Sequence, residues 1–228
     1  MKKLLKIIPI LLLTTLFLQS CDNDDDTVIP PVTNNIVDIA QSSEDFTSLV
    51  AALQKANLVT TLQTQGPFTV LAPTNAAFST FLLDNGFGSL DEVPVDVLTN
   101  ILLNHVVGGR LASTDLTTGY ASTFATSSAS DASMSIFIDT SNGVRFNGVS
   151  SVTTADISAD NGIVHVVDAV IGLPTIATFA TSNNALSILV DALVYADSGS
   201  PTVPYISTVS DASAGPFTVF TPTNDAFA

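Results

Sequence analysis

A thirteen-residue phrase occurs twice in this chain of 228 residues. Gly66 to Phe78 reads GPFTVLAPTNAAF and Gly215 to Phe227 reads GPFTVFTPTNDAF, with ten of the thirteen positions identical at a spacing of 149 residues. Upstream, Ile36 to Leu53 matches Ile176 to Leu193 at a spacing of 140, with Ala40/Ala180, Leu49/Leu189, Val50/Val190 and Ala52/Ala192 identical. The nine extra residues of the second copy fall in the Ser-, Pro- and Asp-rich stretch Asp197 to Ser213, which reads as a loop. A period this long is not that of a solenoid, whose units run to about 20–50 residues. It specifies tandem domains, one over residues 34–173 and the start of a second over residues 175–228. The second copy spans only the N-terminal third of the pattern, and its 54 residues are too few to complete the core built by the first. Two readings stand: the sequence is a fragment of a longer protein, or the short copy packs on the first domain. Expressed as written, the chain is expected to present Phe217 to Phe220 as a strand with an unpaired apolar edge that favours aggregation.

Local signals order the first copy. From Glu44 to Asn57, Phe46, Leu49, Val50 and Leu53 recur at helical spacing, and Ser42 or Ser43 can cap the start. Phe68 to Ala72 is a short apolar run between prolines, the mark of a buried strand that Pro73 must end. Thr74 or Asn75 then caps a helix carrying Ala77, Phe78, Phe81 and Leu82, stopped at Asn85-Gly86. Pro94 suits the first turn of a further helix reaching Asn104. Beyond Gly108-Gly109 the period becomes two: Met134, Ile136 and Ile138 alternate with Ser135, Phe137 and Asp139, and Ser141-Asn142-Gly143 turns the chain into Val144 and Phe146. Strands are expected around Val149 to Ile157 and Ile163 to Ile171. Helices followed by antiparallel strands make an α+β domain.

Three segments carry a family resemblance. Thr69 to Phe78 (TVLAPTNAAF), Leu102 to Gly109 (LLNHVVGG) and Asn161 to Asp168 (NGIVHVVD) resemble, in that order, the first signature, the central Tyr-His region and the closing signature of fasciclin (FAS1) domains. The resemblance implies a wedge of antiparallel strands flanked by several short helices, and a role in extracellular adhesion or matrix contact. In animal members the Tyr-His region is implicated in integrin binding. Here Asn104 stands where that family has its tyrosine.

The N-terminus reads as an address. Lys2, Lys3 and Lys6 precede an apolar stretch from Ile7 to Leu18, too short to span a bilayer, which needs about 20 apolar residues. Leu18-Gln19-Ser20-Cys21 follows and contains the only cysteine. It resembles a bacterial lipobox, which makes residues 1–20 a lipoprotein signal peptide and Cys21 the lipid attachment site; a free thiol at an ordinary cleavage site is the alternative. Multiple acyl chains anchor stably where one does not. Residues 21–33, with Asp22, Asp24, Asp25 and Asp26 and then Pro30-Pro31, read as a solvated tether. Such an acidic run is either a plain spacer or, as in some diderm bacteria, a signal for display on the outer face of the outer membrane.

Charge excludes some functions. The net charge is −15, and once the three signal-peptide lysines leave, three cations face 21 acids, a net −18. Phosphate backbones are held by clustered Lys and Arg, so nucleic acid is not a partner. Neither a nucleophile elbow nor a phosphate loop occurs, and His105 and His165 are sixty residues apart, so no catalytic residue, metal ligand or cofactor is expected. His165, inside an apolar strand, reads as a hydrogen-bonded structural residue. His105 is either structural or a partner contact; Arg110 either pairs with an acid such as Asp115 or meets an anionic partner. The turn residues Thr74 and Asn75 either serve the fold or share a surface role. The candidate contacts are therefore Thr74, Asn75, Asn104, His105 and Arg110. The leading function is a lipid-anchored adhesion module for a cell-surface or matrix protein or polysaccharide. The runner-up is a polysaccharide-binding or envelope-assembly lipoprotein, which the scarcity of aromatic platforms (no Trp and three Tyr) disfavours. Replacing Asp24, Asp25 and Asp26 with Ala is expected to hide the protein from protease added to intact cells; unchanged cleavage would refute surface display.

Overall fold

The computed structural model describes residues 34–127 and 131–228. The signal, Cys21 and the acidic run lie outside these residues. Asn35 opens the first element, α1 (Ile36–Ser42), by accepting from the Val37 and Asp38 amides, while Asp38 returns a bond to the Asn35 amide. This reciprocal capping box satisfies amides that have no partner in the first turn. Helical spacing alone misses α1; the Asn-x-x-Asp cap marks it. The expected helix from Glu44 is instead a 3₁₀ turn (Glu44–Phe46), capped by Ser43, running into α2 (Thr47–Lys55). A short α3 (Val59–Gln63) leads to β1 (Phe68–Pro73).

Thr74 caps α4 (Asn75–Asp84) through the Ala77 amide, and Gly86, at φ +73°, takes the left-handed turn that ends it. Pro94 precedes α5 (Val95–Asn104), and Leu98, Ile101 and Leu102 form its buried stripe. The remaining strands of the first copy are β2 (Val106–Gly108), β3 (Gly119–Thr126), β4 (Ser133–Asp139), β5 (Arg145–Phe146), β6 (Ser150–Ala159) and β7 (Gly162–Val167).

These seven strands close into a barrel in chain order. Neighbours are antiparallel except at the seam, where β1 and β7 run parallel from Phe68 beside Gly162 to Pro73 beside Val167. Apolar residues on both faces of β1 are therefore buried, as in parallel sheets covered on two sides. Val70 and Ala72 join Ile36, Phe46, Leu49, Leu53, Phe78, Leu98 and Leu102 in a core between barrel and helices. Leu71 joins Val107, Ile136, Ile138, Phe146, Val167 and Ile171 inside the barrel. One strand serves two cores because successive side chains alternate across it.

The period-two reading of β4 needs one correction. Phe137 points away from the barrel interior yet is only 3% exposed. Its cover is Tyr120 of β3, with ring centroids 5.0 Å apart. The last expected strand also stops early, at Val167, because Asp168 turns back to exchange hydrogen bonds with Ser151.

The second copy keeps the local structure of the first. A Thr175–Thr178 capping box opens α6 (Ile176–Ser182), a 3₁₀ turn (Asn184–Leu186) leads to α7 (Ser187–Ser198), and α8 (Tyr205–Ser210) follows. The stretch expected as a loop thus contains a helix, whose Tyr205 and Ile206 amides are capped by the Asp197 carboxylate. The expected strand at Phe217 to Phe220 does not form, and Phe220 is 91% exposed. In the first copy the equivalent strand lies between β2 and β7, and among the described residues no strands stand in those places beside Phe217 to Phe220. Part of the short copy does rest on the first: the Phe179 ring stands edge-on to Tyr120 at 5.5 Å, and Asn183 Nδ2 donates to Tyr120 Oη at 3.3 Å.

The seam leaves no room at Gly162. A Cβ there would lie 2.1 Å from the Phe68 carbonyl oxygen and 2.9 Å from Ile36 Cδ1, so β1 or β7 would have to move. Gly162→Ala is expected to lower stability by about 3 kcal/mol, against less than about 0.5 kcal/mol for Gly119→Ala, where a Cβ meets nothing within 4 Å. Urea unfolding of the two variants measures the difference.

Candidate functional site

Each motif named from the sequence is first a joint of the fold. Asn75 Oδ1 accepts from the Ser48 amide at 2.8 Å and from Thr47 Oγ1 at 3.2 Å, and its Nδ2 donates to the Glu44 carbonyl at 2.8 Å. It therefore caps α2 from across the helical layer. The second copy repeats this joint: Asn224 Oδ1 accepts from the Ile188 amide at 3.0 Å, and Nδ2 donates to the Asn184 carbonyl at 3.0 Å and to Ser187 Oγ at 3.1 Å. Thr74 is committed to its own helix cap.

Asn104 and His105, expected among partner contacts, are 0% and 2% exposed and offer no surface. Both reach a segment 66 to 68 residues downstream. Asn104 Nδ2 donates to the Gly172 carbonyl at 3.0 Å, while its Oδ1 accepts from Thr123 Oγ1 at 3.2 Å. His105 Nε2 accepts from the Ile171 amide at 2.9 Å, which leaves Nδ1 to donate to the Ile101 carbonyl at 2.8 Å. The ring is thus held neutral, with one nitrogen giving and the other receiving. Burial pushes its pKa down from 6.5 to about 4, against the opposing effect of the Ile101 bond. His165, wholly buried in β7, repeats the arrangement: Nε2 faces the Leu111 carbonyl at 2.9 Å, and Nδ1 accepts from the Asp156 amide at 3.2 Å. The structural reading of His165 is the one the geometry supports. Asp156 in turn receives the Ser113 hydroxyl and amide, which lowers its carboxyl pKa.

Arg110 alone of the five candidate contacts combines exposure with charge. It does not pair with Asp115, whose carboxylate accepts from the Ala112 amide. Its guanidinium donates to the Ala159 carbonyl at 2.9 Å and to Ser158 Oγ. So held, it lines a cleft of ≈ 500 Å³ at the Gly162 end of β7, with Gln63, Thr64, Gln65, Pro67 and Asp160. Of the other two described cations only Lys55 is spent on backbone, and Arg145 is exposed. Lys55 Nζ donates to the carbonyls of Leu90, Asp91 and Val93 at 2.7–2.8 Å, and Arg145 stands opposite Asp139 in the β4–β5 register. No signal in the sequence marks Gln63 and Gln65, because they join Arg110 only when β1 pairs with β7.

The molecule is thus an α+β domain: a closed seven-stranded barrel with a helical layer, whose polar signatures tie distant loops together. Residues 44–174, more than half of the chain, match the family model of the Fasciclin domain, and the chain belongs to that family. A Synechocystis protein, sll1735, is 41% identical over 137 residues, which cover 60% of this chain and 96% of that protein. The transforming growth factor-beta-induced protein ig-h3 of Oryctolagus cuniculus is 30% identical over 146 residues, covering 63% of this chain and 20% of the rabbit protein. A solved FAS1 domain pair from the insect cell adhesion molecule Fasciclin I is 20% identical with a TM-score of 0.41, covering 71% of this chain and 52% of that one.

A buried base whose pKa is lowered on folding destabilises the folded state as pH falls, because the unfolded chain takes up the proton first. His105 costs nothing above pH 6.5, and its penalty grows down to about pH 4 and then levels. At about 1.4 kcal/mol for each tenfold change in proton affinity, the full penalty is about 3 kcal/mol. Urea unfolding between pH 7.5 and 4 is expected to show this loss in the native protein and a flatter profile in His105→Gln, whose side-chain oxygen can still accept from Ile171. An equal slope in both would assign the titration to another group.

Proposed function

We propose that this chain is a non-enzymatic, surface-displayed adhesion or matrix-contact protein, tethered to the outer membrane by lipid at Cys21. The observation that carries the reading is the repeated Asn joint. Asn75 and Asn224 hold their helices through equivalent bonds, which supports a tandem array of like domains. Arrays of one domain suit weak contacts made many times, because linked sites gain avidity without new chemistry at any one of them. Family membership favours the same reading. So does the employment of both histidines as backbone joints, which leaves neither ring to act as a general base.

Anchoring and outward display remain with Cys21 and the acidic tether. Among the described residues no helix is long and apolar enough to cross a membrane. The polysaccharide-binding reading is kept as the second one because the Arg110 cleft is open to solvent and carries the side chains of Gln63, Gln65 and Arg110 along its wall.

Cells of a non-adherent diderm host displaying the full chain are expected to attach to a matrix-coated surface. Deleting residues 34–173 while keeping Cys21 and the tether should return attachment to the level of cells without the gene. Attachment that survives the deletion would overturn the adhesion reading.

A further inference from the structure

We propose that the Arg110 cleft binds an acidic saccharide through a single uronate residue; this deepens the adhesion reading and rests on it. Of the five N–H groups of Arg110, two are given to Ala159 and Ser158, which fixes the guanidinium and leaves three donor directions. A fixed guanidinium is a preorganised carboxylate receptor, because the planar fork matches the two oxygens and little side-chain entropy is left to lose. Around it stand groups that pair with hydroxyls. Gln63 and Gln65 are exposed, their side chains make no hydrogen bond to the described residues, and each offers a donor and an acceptor. The exposed ring of Pro67 supplies a small apolar wall. At ≈ 500 Å³ the cleft falls in the range of about 300–1,000 Å³ usual for ligand sites.

Two features select the ligand. The cleft is lined by one cation and one carboxylate, that of Asp160, and the chain around it is strongly acidic, so one anionic group is attracted and a dense run of them is repelled. That favours a uronate at a chain end or spaced by neutral sugars. An acidic peptide fits less well, because extended peptides gain affinity by adding a strand to a free sheet edge, and the closed barrel has none.

Titration of the full chain with methyl β-glucuronide, methyl β-glucoside and a Gly-Glu-Gly peptide, followed by NMR or calorimetry, tests this. The glucuronide is expected to bind about tenfold more tightly than the glucoside or the peptide, and Arg110→Gln to remove that preference. The double variant Gln63→Ala, Gln65→Ala breaks no bond within the described residues and is expected to weaken glucuronide binding severalfold. It decides the matter if Arg110→Gln fails to fold. Equal binding of glucuronide and glucoside, tighter binding of the peptide, or affinity unchanged in the double variant would each overturn the proposal. If glucuronide does not bind while deletion of residues 34–173 still abolishes attachment, the ligand class is wrong and the adhesion reading stands.

Discussion

The parallel pairing of β1 with β7 is the contact on which the rest of the domain depends. It joins residues 94 positions apart and closes the barrel. It also sets one face of β1 against the helices and the other against the barrel interior. Asn161 secures its open end. The side chain accepts from the Ile36 amide and donates to the carbonyls of Leu62 and Thr64, so one residue aligns α1, the loop after α3 and the start of β7. Such long-range closure is entropically costly, and it holds only because two cores gain from one strand.

The second copy separates local from non-local causes. Its capping box, 3₁₀ turn, helix and Asn joint all form, because each is specified within about fifty residues of chain. Its copy of β1 does not, although it differs from the original at only two of six positions. Strand propensity and apolar pattern are nearly equal in the two copies; the neighbours are not. A β-strand is completed by its partners, whereas a capped helix completes most of its own hydrogen bonds.

That contrast explains how far the sequence could be read. Thr74, Pro94 and Gly86 state their roles in neighbouring residues, and those helix ends were legible. So were β1, bounded by prolines, and the family signatures. The parallel seam was not legible, because nothing near Phe68 names Gly162 as its partner. Nor was the depth of Asn104 and His105. They stand at the end of an amphipathic helix and precede two glycines, the setting of an exposed turn, and only the return of Ile171 and Gly172 buries them. Phe137 misled in the same way: alternation assigned it outward correctly, and Tyr120 covers it there. The Arg110 cleft was half legible, since the cation was evident and the glutamines beside it were not.

The two clamps at the ends of β7 have a mechanical consequence. The chain enters the domain at Asn34, which exchanges hydrogen bonds with Asp160 just before β7, and leaves it at Ile171 and Gly172, held by His105 and Asn104 just after. Tension applied through Asn34 and Gly172 therefore runs along the axis of β7. The ladder shared with β1 is loaded in shear, with its rungs resisting together, rather than peeled one rung at a time. A domain strung in this direction is suited to bearing load from one end of its chain to the other.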